Sequence, residues 1–225
     1  MSPVPATVAE FRARYRAEQI GPRYSGRLHL ASTSLASLLA IGLCAHAAPH
    51  PRPLEWLTVP LAFLFANLVE YAAHRGPMHH RARPDFFLTR LLYQRHALSH
   101  HRFYTDEAMT VEEPRDYQMV LFPPAVVFLF IGGVAVPVLL ALRLLVSANV
   151  GFLFGATAVG YFLTYEWLHL AYHLPPESWV GRLPFLARLR RHHTAHHDPR
   201  RMQRFHFNIT FPITDALFGT TYRDR

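Results

Sequence analysis

Lysine is absent from the 225 residues, so all 23 basic side chains are arginine. A single cysteine, Cys44, excludes an internal disulfide, a multi-cysteine zinc site and a cysteine-ligated iron–sulfur cluster within one chain. Charged residues make up only 17%, against roughly 25% in an ordinary soluble domain. Long low-complexity tracts are missing too, which excludes a disordered or collagen-like chain. What fills the space is apolar: 51% of the residues are hydrophobic, as expected of a chain partly dissolved in lipid. At 25.8 kDa there is room for one domain with small additions.

The formal net charge is +8 and the pI near 10.1. A basic chain can bind nucleic acid, and Arg188 to Arg204 resembles such a patch. Apolar and aromatic spans dominate, however, and arginines beside apolar spans mark a cytoplasmic membrane face. No nucleic-acid partner is expected.

Four apolar stretches stand out: Leu30–Ala48, Leu54–Tyr71, Met119–Leu142 and Val150–Leu163. The last is expected to continue as helix through Glu166, His169 and His173. Leu30–Ala48 is of the right length to cross a bilayer at about 1.5 Å per residue, and Pro60 and Pro137 kink a span without ending it. Arginines cluster before the first stretch, between the second and third, and after the fourth, while the alternate connectors hold only Arg52 and Arg143. The positive-inside rule then places both termini and the middle loop in the cytoplasm, which requires an even number of spans. The first stretch is not read as a cleaved signal: its leading region is long, and removal would leave an odd count. The expected architecture is all-α, an integral membrane protein of about four transmembrane helices with a cytoplasmic helical cap. Residues 1–28 form an N-terminal cytoplasmic or interfacial segment and 29–225 the membrane domain. Within the former, Ala6–Ile20 reads as an amphipathic helix lying at the interface, with Val8, Phe11 and Tyr15 on one side.

Sixteen residues are histidine, and their clusters sit at the cytoplasmic ends of spans, where they can converge. Positions four apart lie about 40° apart around a helix, which puts His169 with His173 and His193 with His197, His196 being on the adjacent rim. His74 and His79 do not share a straight helix. Gly76-Pro77 between them is expected to end one element and begin another, letting both rings turn to one point. His192 points away from His193 yet precedes His196 by four, and stays off the ligand set; His80 is read as a supporting or surface residue. His29, His46 and His50 are read as interfacial or solvated. Neutral imidazole offers a nitrogen lone pair to iron, zinc, copper or nickel alike. About ten such rings suit two ions rather than one.

These residues resemble the fatty acid hydroxylase/sterol desaturase superfamily of membrane di-iron oxygenases, most nearly the fatty acid 2-hydroxylases. The similar features are Glu70-Tyr71 ahead of His74-Arg75 and His79, the double histidine 100–101, Leu121-Phe122-Pro123-Pro124, and the pairs His192-His193 and His196-His197. Phe207-Asn208-Ile209, Asp215 and Leu217-Phe218-Gly219-Thr220 close the match. The resemblance implies His74, His79, His96, His100, His101, His169, His173, His193, His196 and His197 as metal ligands. His96 departs from the family pattern, which places a histidine at position 97. On a regular helix His96 lies about 140° from His101, so either a π-bulge intervenes or His96 is no ligand; we adopt ligation. Two iron ions are implied, with zinc a possible substitute in purified protein. The implied reaction inserts one oxygen atom from O2 into an unactivated C–H bond of a lipid or fatty acyl chain. Electrons are expected from a separate ferredoxin or cytochrome with its reductase, since no fused haem domain is expected here. Glu70, Glu166, Tyr165 and Asp215 are candidates for a supporting role behind the ligands; Phe63, Phe65, Phe128, Phe130 and Phe162 could line an acyl slot but are read first as ordinary lipid-facing or packing residues. A desaturase of the same superfamily, or a non-redox membrane metal-binding protein, are the alternatives. The expected location is a bacterial inner membrane.

Overall fold

The computed structural model describes residues 7–81 and 86–222. Among these the regular elements are helices, with one isolated β-bridge between Thr105 and Ala108. In chain order they begin with α1 (Val8–Glu18), α2 (Gly26–His46), α3 (Thr58–Ala73), α4 (Phe87–Arg95), α5 (His101–Phe103) and α6 (Tyr117–Val120). There follow α7 (Pro124–Phe130), α8 (Val136–Leu145), α9 (Ala148–His173), α10 (Pro184–His196) and α11 (Ile213–Leu217). Three π-turns, His74–Met78, His96–His100 and Ile131–Ala135, continue or join helices.

The residues fall into two compact units. One takes in the described parts of Met1–Gly26, Glu70–Leu121 and Leu168–Arg225; the other takes in Arg27–Val69 and Phe122–Trp167. The second unit is apolar on its outside. Two helical stretches, Gly26–His46 and Pro53–Met78, are long and apolar enough to cross a membrane. Only 11% and 22% of their most apolar windows are buried, the reverse of a soluble protein's core helix. Leu35, Leu39, Leu43, Leu61 and Leu64 are all exposed, an apolar surface that calls for an apolar solvent. Inside this unit Ala62, Ala135, Phe154 and Ala158 pack together, the three alanines letting helices approach closely around the phenylalanine. Glu55 accepts from Ser147 Oγ at 2.6 Å and Asn149 Nδ2 at 2.9 Å, tying two connectors to each other.

One expectation needs correction. The third apolar stretch does not start at Met119: Met119 and Val120 belong to the short α6, and helix resumes at Pro124 and runs to Leu145 through the π-turn. The cause is the Pro123-Pro124 pair, since a residue before proline is driven out of the α region and Pro123 is extended at ψ 143°. The five phenylalanines take the packing or surface positions read for them first. Phe162 is buried beside Phe130 at 6.0 Å, Phe63 meets Tyr161 edge-on, and Phe65 and Phe128 are exposed. The fourth stretch is one helix of 26 residues that carries Glu166, His169 and His173 as expected.

The first unit holds the polar chemistry. Its α1 starts at a capping box in which Thr7 and Glu10 satisfy each other's backbone amides. The expected interfacial face of this helix is turned inward: Phe11 and Arg12 are buried, and Tyr15 meets Phe103 edge-on at 5.9 Å. Gly26 ends this segment where a Cβ would fall 1.8 Å from the Pro114 carbonyl oxygen, so only glycine fits. In the other unit His29, expected to be interfacial or solvated, is buried.

Candidate metal centre

All ten histidines named from the resemblance lie in the first unit, and all are buried. Their ring nitrogens form two sets. His74, His79, His96, His101 and His196 each offer a nitrogen within 4.8 Å of the others, and His100, His169, His173 and His193 do the same. His197 joins the second set, its Nε2 lying 3.2 Å from that of His100 and 3.1 Å from that of His193.

Local backbone form explains the sorting. His193 and His197, four apart at the end of α10, fall in one set while His196 on the adjacent rim falls in the other. His169 and His173 share a face of α9 and a set. His74 and His79 are brought together differently from expectation. Gly76-Pro77 does not end the helix; α3 widens into the π-turn His74–Met78 with Pro77 inside it. Widening moves the carbonyl of the preceding turn away from the proline ring, and i→i+5 pairing brings residues five apart onto one face. The same device acts at His96–His100, where the His101 amide donates to the His96 carbonyl. It puts His96 Nε2 3.1 Å from His101 Nε2 and 2.7 Å from His74 Nε2, so the π-bulge alternative is the one realised.

Behind the rings stands a row of backbone carbonyls. The Nδ1–H groups of His100, His173 and His197 donate to the carbonyls of Met119, Met109 and Tyr104 at 2.9, 2.7 and 2.7 Å. Those of His74 and His196 donate to Phe207 and Phe205. A neutral imidazole protonated at Nδ1 has only a lone pair at Nε2. His100 and His197 are both held in that form, yet their Nε2 atoms face each other at 3.2 Å. Two buried acceptors at that distance repel unless a cation shares them, and a carbonyl behind a ligating imidazole is the usual support of a metal ligand. The donor set therefore fits a metal, and its all-nitrogen character suits a first-row transition ion.

The carbonyls of Phe205 and Phe207 belong to a strap, 205–210, fixed from two sides. Asp215, fully buried, accepts from the amides of Phe207 and Asn208 at 2.9 and 2.8 Å and from Thr220 Oγ1 at 2.6 Å. Glu70 accepts from the amides of Ile209 and Thr210 and from Thr210 Oγ1. These two carboxylates thus act on His74 and His196 through the strap. Glu166 instead accepts from the Phe122 amide, and Tyr165 stacks on Phe122; both lie in the other unit. His192 turns away from both sets, its Nε2 3.1 Å from His206 Nδ1 and 3.4 Å from Asp215 Oδ2. His80 is exposed and bonded to the Arg75 carbonyl. The sequence reading missed His206, which is buried with a left-handed φ of 63° in the strap. No helical spacing marks it.

Burial pushes these imidazoles down. Desolvation first, then the neighbouring rings, hold His96, His101, His193 and His196 well below the ordinary range, and burial takes His197 to about 3. An unfolded histidine titrates near 6.5, so below that pH the unfolded chain binds more protons than the folded one. This contribution to stability is therefore complete above about pH 6.5 and lost as pH falls from there toward 3. Metal-free protein in detergent should melt at steadily lower temperature between pH 7 and pH 5. A melting temperature independent of pH over that window would contradict the buried, neutral ring cluster.

The sequence pattern of the fatty acid hydroxylase family matches residues 59–220. The chain belongs to the fatty acid hydroxylase family. All ten histidines and both strap carboxylates fall inside that match. Among solved structures the hydroxylase fold resembles full-length Scs7p, in which only the hydroxylase domain is visible, with a TM-score of 0.59 at 16% identity. The alignment covers 86% of this chain and 65% of Scs7p, so the chain spans a little under two thirds of that structure. No curated protein matches in sequence.

Proposed function

We propose that this fatty acid hydroxylase is an integral membrane di-iron enzyme that hydroxylates a C–H bond of a lipid or fatty acyl chain, using O2 and electrons from a separate carrier. The observation that carries the reading is the facing of bare Nε2 atoms, those of His100 and His197 held by backbone carbonyls, in a set of five and a set of four that His197 adjoins. In this reading all ten histidines are ligands, five to each iron. When bound, the irons would supply the electrons and the Lewis acidity that activate O2 toward an unactivated C–H bond. The chain's own part is positional. Carbonyls fix the tautomers of His74, His100, His173, His196 and His197, the π-turns aim His79, His96 and His101, and burial keeps the rings neutral and available.

Four crossings are proposed for residues 29–225: α2, α3, the helix from Pro124 to Leu145, and α9. Arginine placement supports a cytoplasmic position for both termini and the histidine cluster, with residues 1–28 a cytoplasmic segment. A ferredoxin or cytochrome with acidic surface would suit the arginine-rich face. The family match, together with the resemblance in sequence to 2-hydroxylases, supports a fatty acyl substrate.

Purified protein loaded with iron and given a chemical or protein reductant should consume O2, and cells carrying the gene should hold lipid heavier by one oxygen than cells without it, read by mass spectrometry. Lipid lighter by two hydrogens would instead identify a desaturase. Stoichiometric zinc with no O2 consumption under any reductant would reject the redox reading.

A further inference from the structure

The segment ahead of the family match contributes a charged side chain to the interior. Arg12 of α1 is 4% exposed, and its guanidinium makes three bonds at once. Nε donates to the Phe103 carbonyl at 2.8 Å, Nη2 to the Ala108 carbonyl at 2.5 Å, and Nη1 to Glu112 Oε1 at 2.6 Å. Each of those two carbonyls belongs to the residue just before one that holds a histidine. Phe103 precedes Tyr104, whose carbonyl takes the His197 Nδ1–H; Ala108 precedes Met109, whose carbonyl takes that of His173.

Adjacency matters because Tyr104 is extended, at φ −119° and ψ 118°, and successive carbonyls of extended backbone face opposite ways. A donor that fixes the Phe103 carbonyl toward α1 turns the Tyr104 carbonyl toward His197. The rest of the loop is closed by the neighbouring arginine. Arg16 grips Asp116 through Nε and Nη2 at 2.8 Å each, and Asp116 also accepts from the amides of Glu112 and Glu113. Three residues on, the Met119 carbonyl takes His100. The Val111 amide donates to the His173 carbonyl at 2.8 Å, so the loop meets that histidine twice.

We propose that Arg12 is a positioning residue for the second histidine set: by bridging the loop at Phe103 and Ala108 it aims the carbonyls that orient His197 and His173, whereas the carbonyls behind His74 and His196 of the first set lie in the strap 205–210. A guanidinium suits the task because its planar fork can meet three acceptors in fixed directions, which an ammonium cannot. The inference rests on the two-ion reading.

The test is a cycle of variants of the whole chain in detergent, with bound iron counted per chain and cobalt(II)-loaded samples compared by visible absorption. His196→Ala should lose the ion of the first set and His193→Ala that of the second. Arg12→Ala added to His196→Ala should remove most of the remaining metal and abolish or shift its cobalt bands. Added to His193→Ala it should change neither. Equal metal loss from both backgrounds, as general unfolding would give, overturns the role of Arg12; so does no loss from either. Failure of the two histidine variants to lose one ion each would overturn the two-ion reading, and the Arg12 role with it.

Discussion

Replacing His193 or His196 with alanine is expected to abolish hydroxylation while removing about one of two metal ions, a different ion in each case. His193 faces His173 and His197, with Nε2 separations of 3.1 Å to both; His196 faces His79 at 2.9 Å. Each truncation deletes one donor from a set of five and leaves the other set's donors in place. Because the sets share α10 and the π-turn at His96–His100, the second ion should be retained at reduced affinity rather than untouched. His206→Ala, by contrast, should leave two ions bound, since His206 has no nitrogen in either set. Metal analysis of detergent-purified protein, paired with lipid mass spectrometry, checks all three. Retention of both ions by His193→Ala and His196→Ala alike would remove the basis for two five-membered sets.

Much of the site is legible in the sequence because helical spacing is a strong geometric constraint. His169 with His173 and His193 with His197 are paired by the α-helical repeat alone, and the misfit of His96 with His101 already calls for a π-turn. Gly76-Pro77 misleads because proline ordinarily stops a helix, whereas here the turn widens around it. Arg12 is equally hidden. In sequence it is one of several arginines on a short helix, and its value depends on carbonyls about ninety residues away. The fold class follows from composition, because long leucine-rich stretches can be satisfied only as helices in an apolar solvent. The start of the third stretch does not, because hydropathy counts Met119 and Val120 as membrane-like while Pro123-Pro124 decides where helix can begin.

Asp215→Ala is expected to be the most damaging substitution away from the histidines themselves. Its carboxylate is fully buried and takes two amide hydrogens and the Thr220 hydroxyl. Alanine would leave those donors without an acceptor in a place closed to water, at about 1–3 kcal/mol each, a large part of a typical domain's stability. The strap would keep Glu70 at its far end, the His206 amide on the Thr220 carbonyl and Asn208 Oδ1 on the backbone amide of residue 215, but the amides of Phe207 and Asn208 would lose their acceptor, loosening the carbonyls behind His196 and His74. Metal affinity at the first set should fall by about 10–100-fold, as it does when the support behind a ligand is lost. Asp215→Asn separates the two effects: it keeps the volume and one acceptor oxygen, so it should fold more stably than the alanine variant yet still bind the first ion weakly. Thermal melting with and without added metal measures the first effect, and competition with a chelator the second. If Asp215→Asn matched the wild type in chelator resistance, the strap would be a folding element only, and the alignment of His74 and His196 would have to come from the π-turn and α10 themselves.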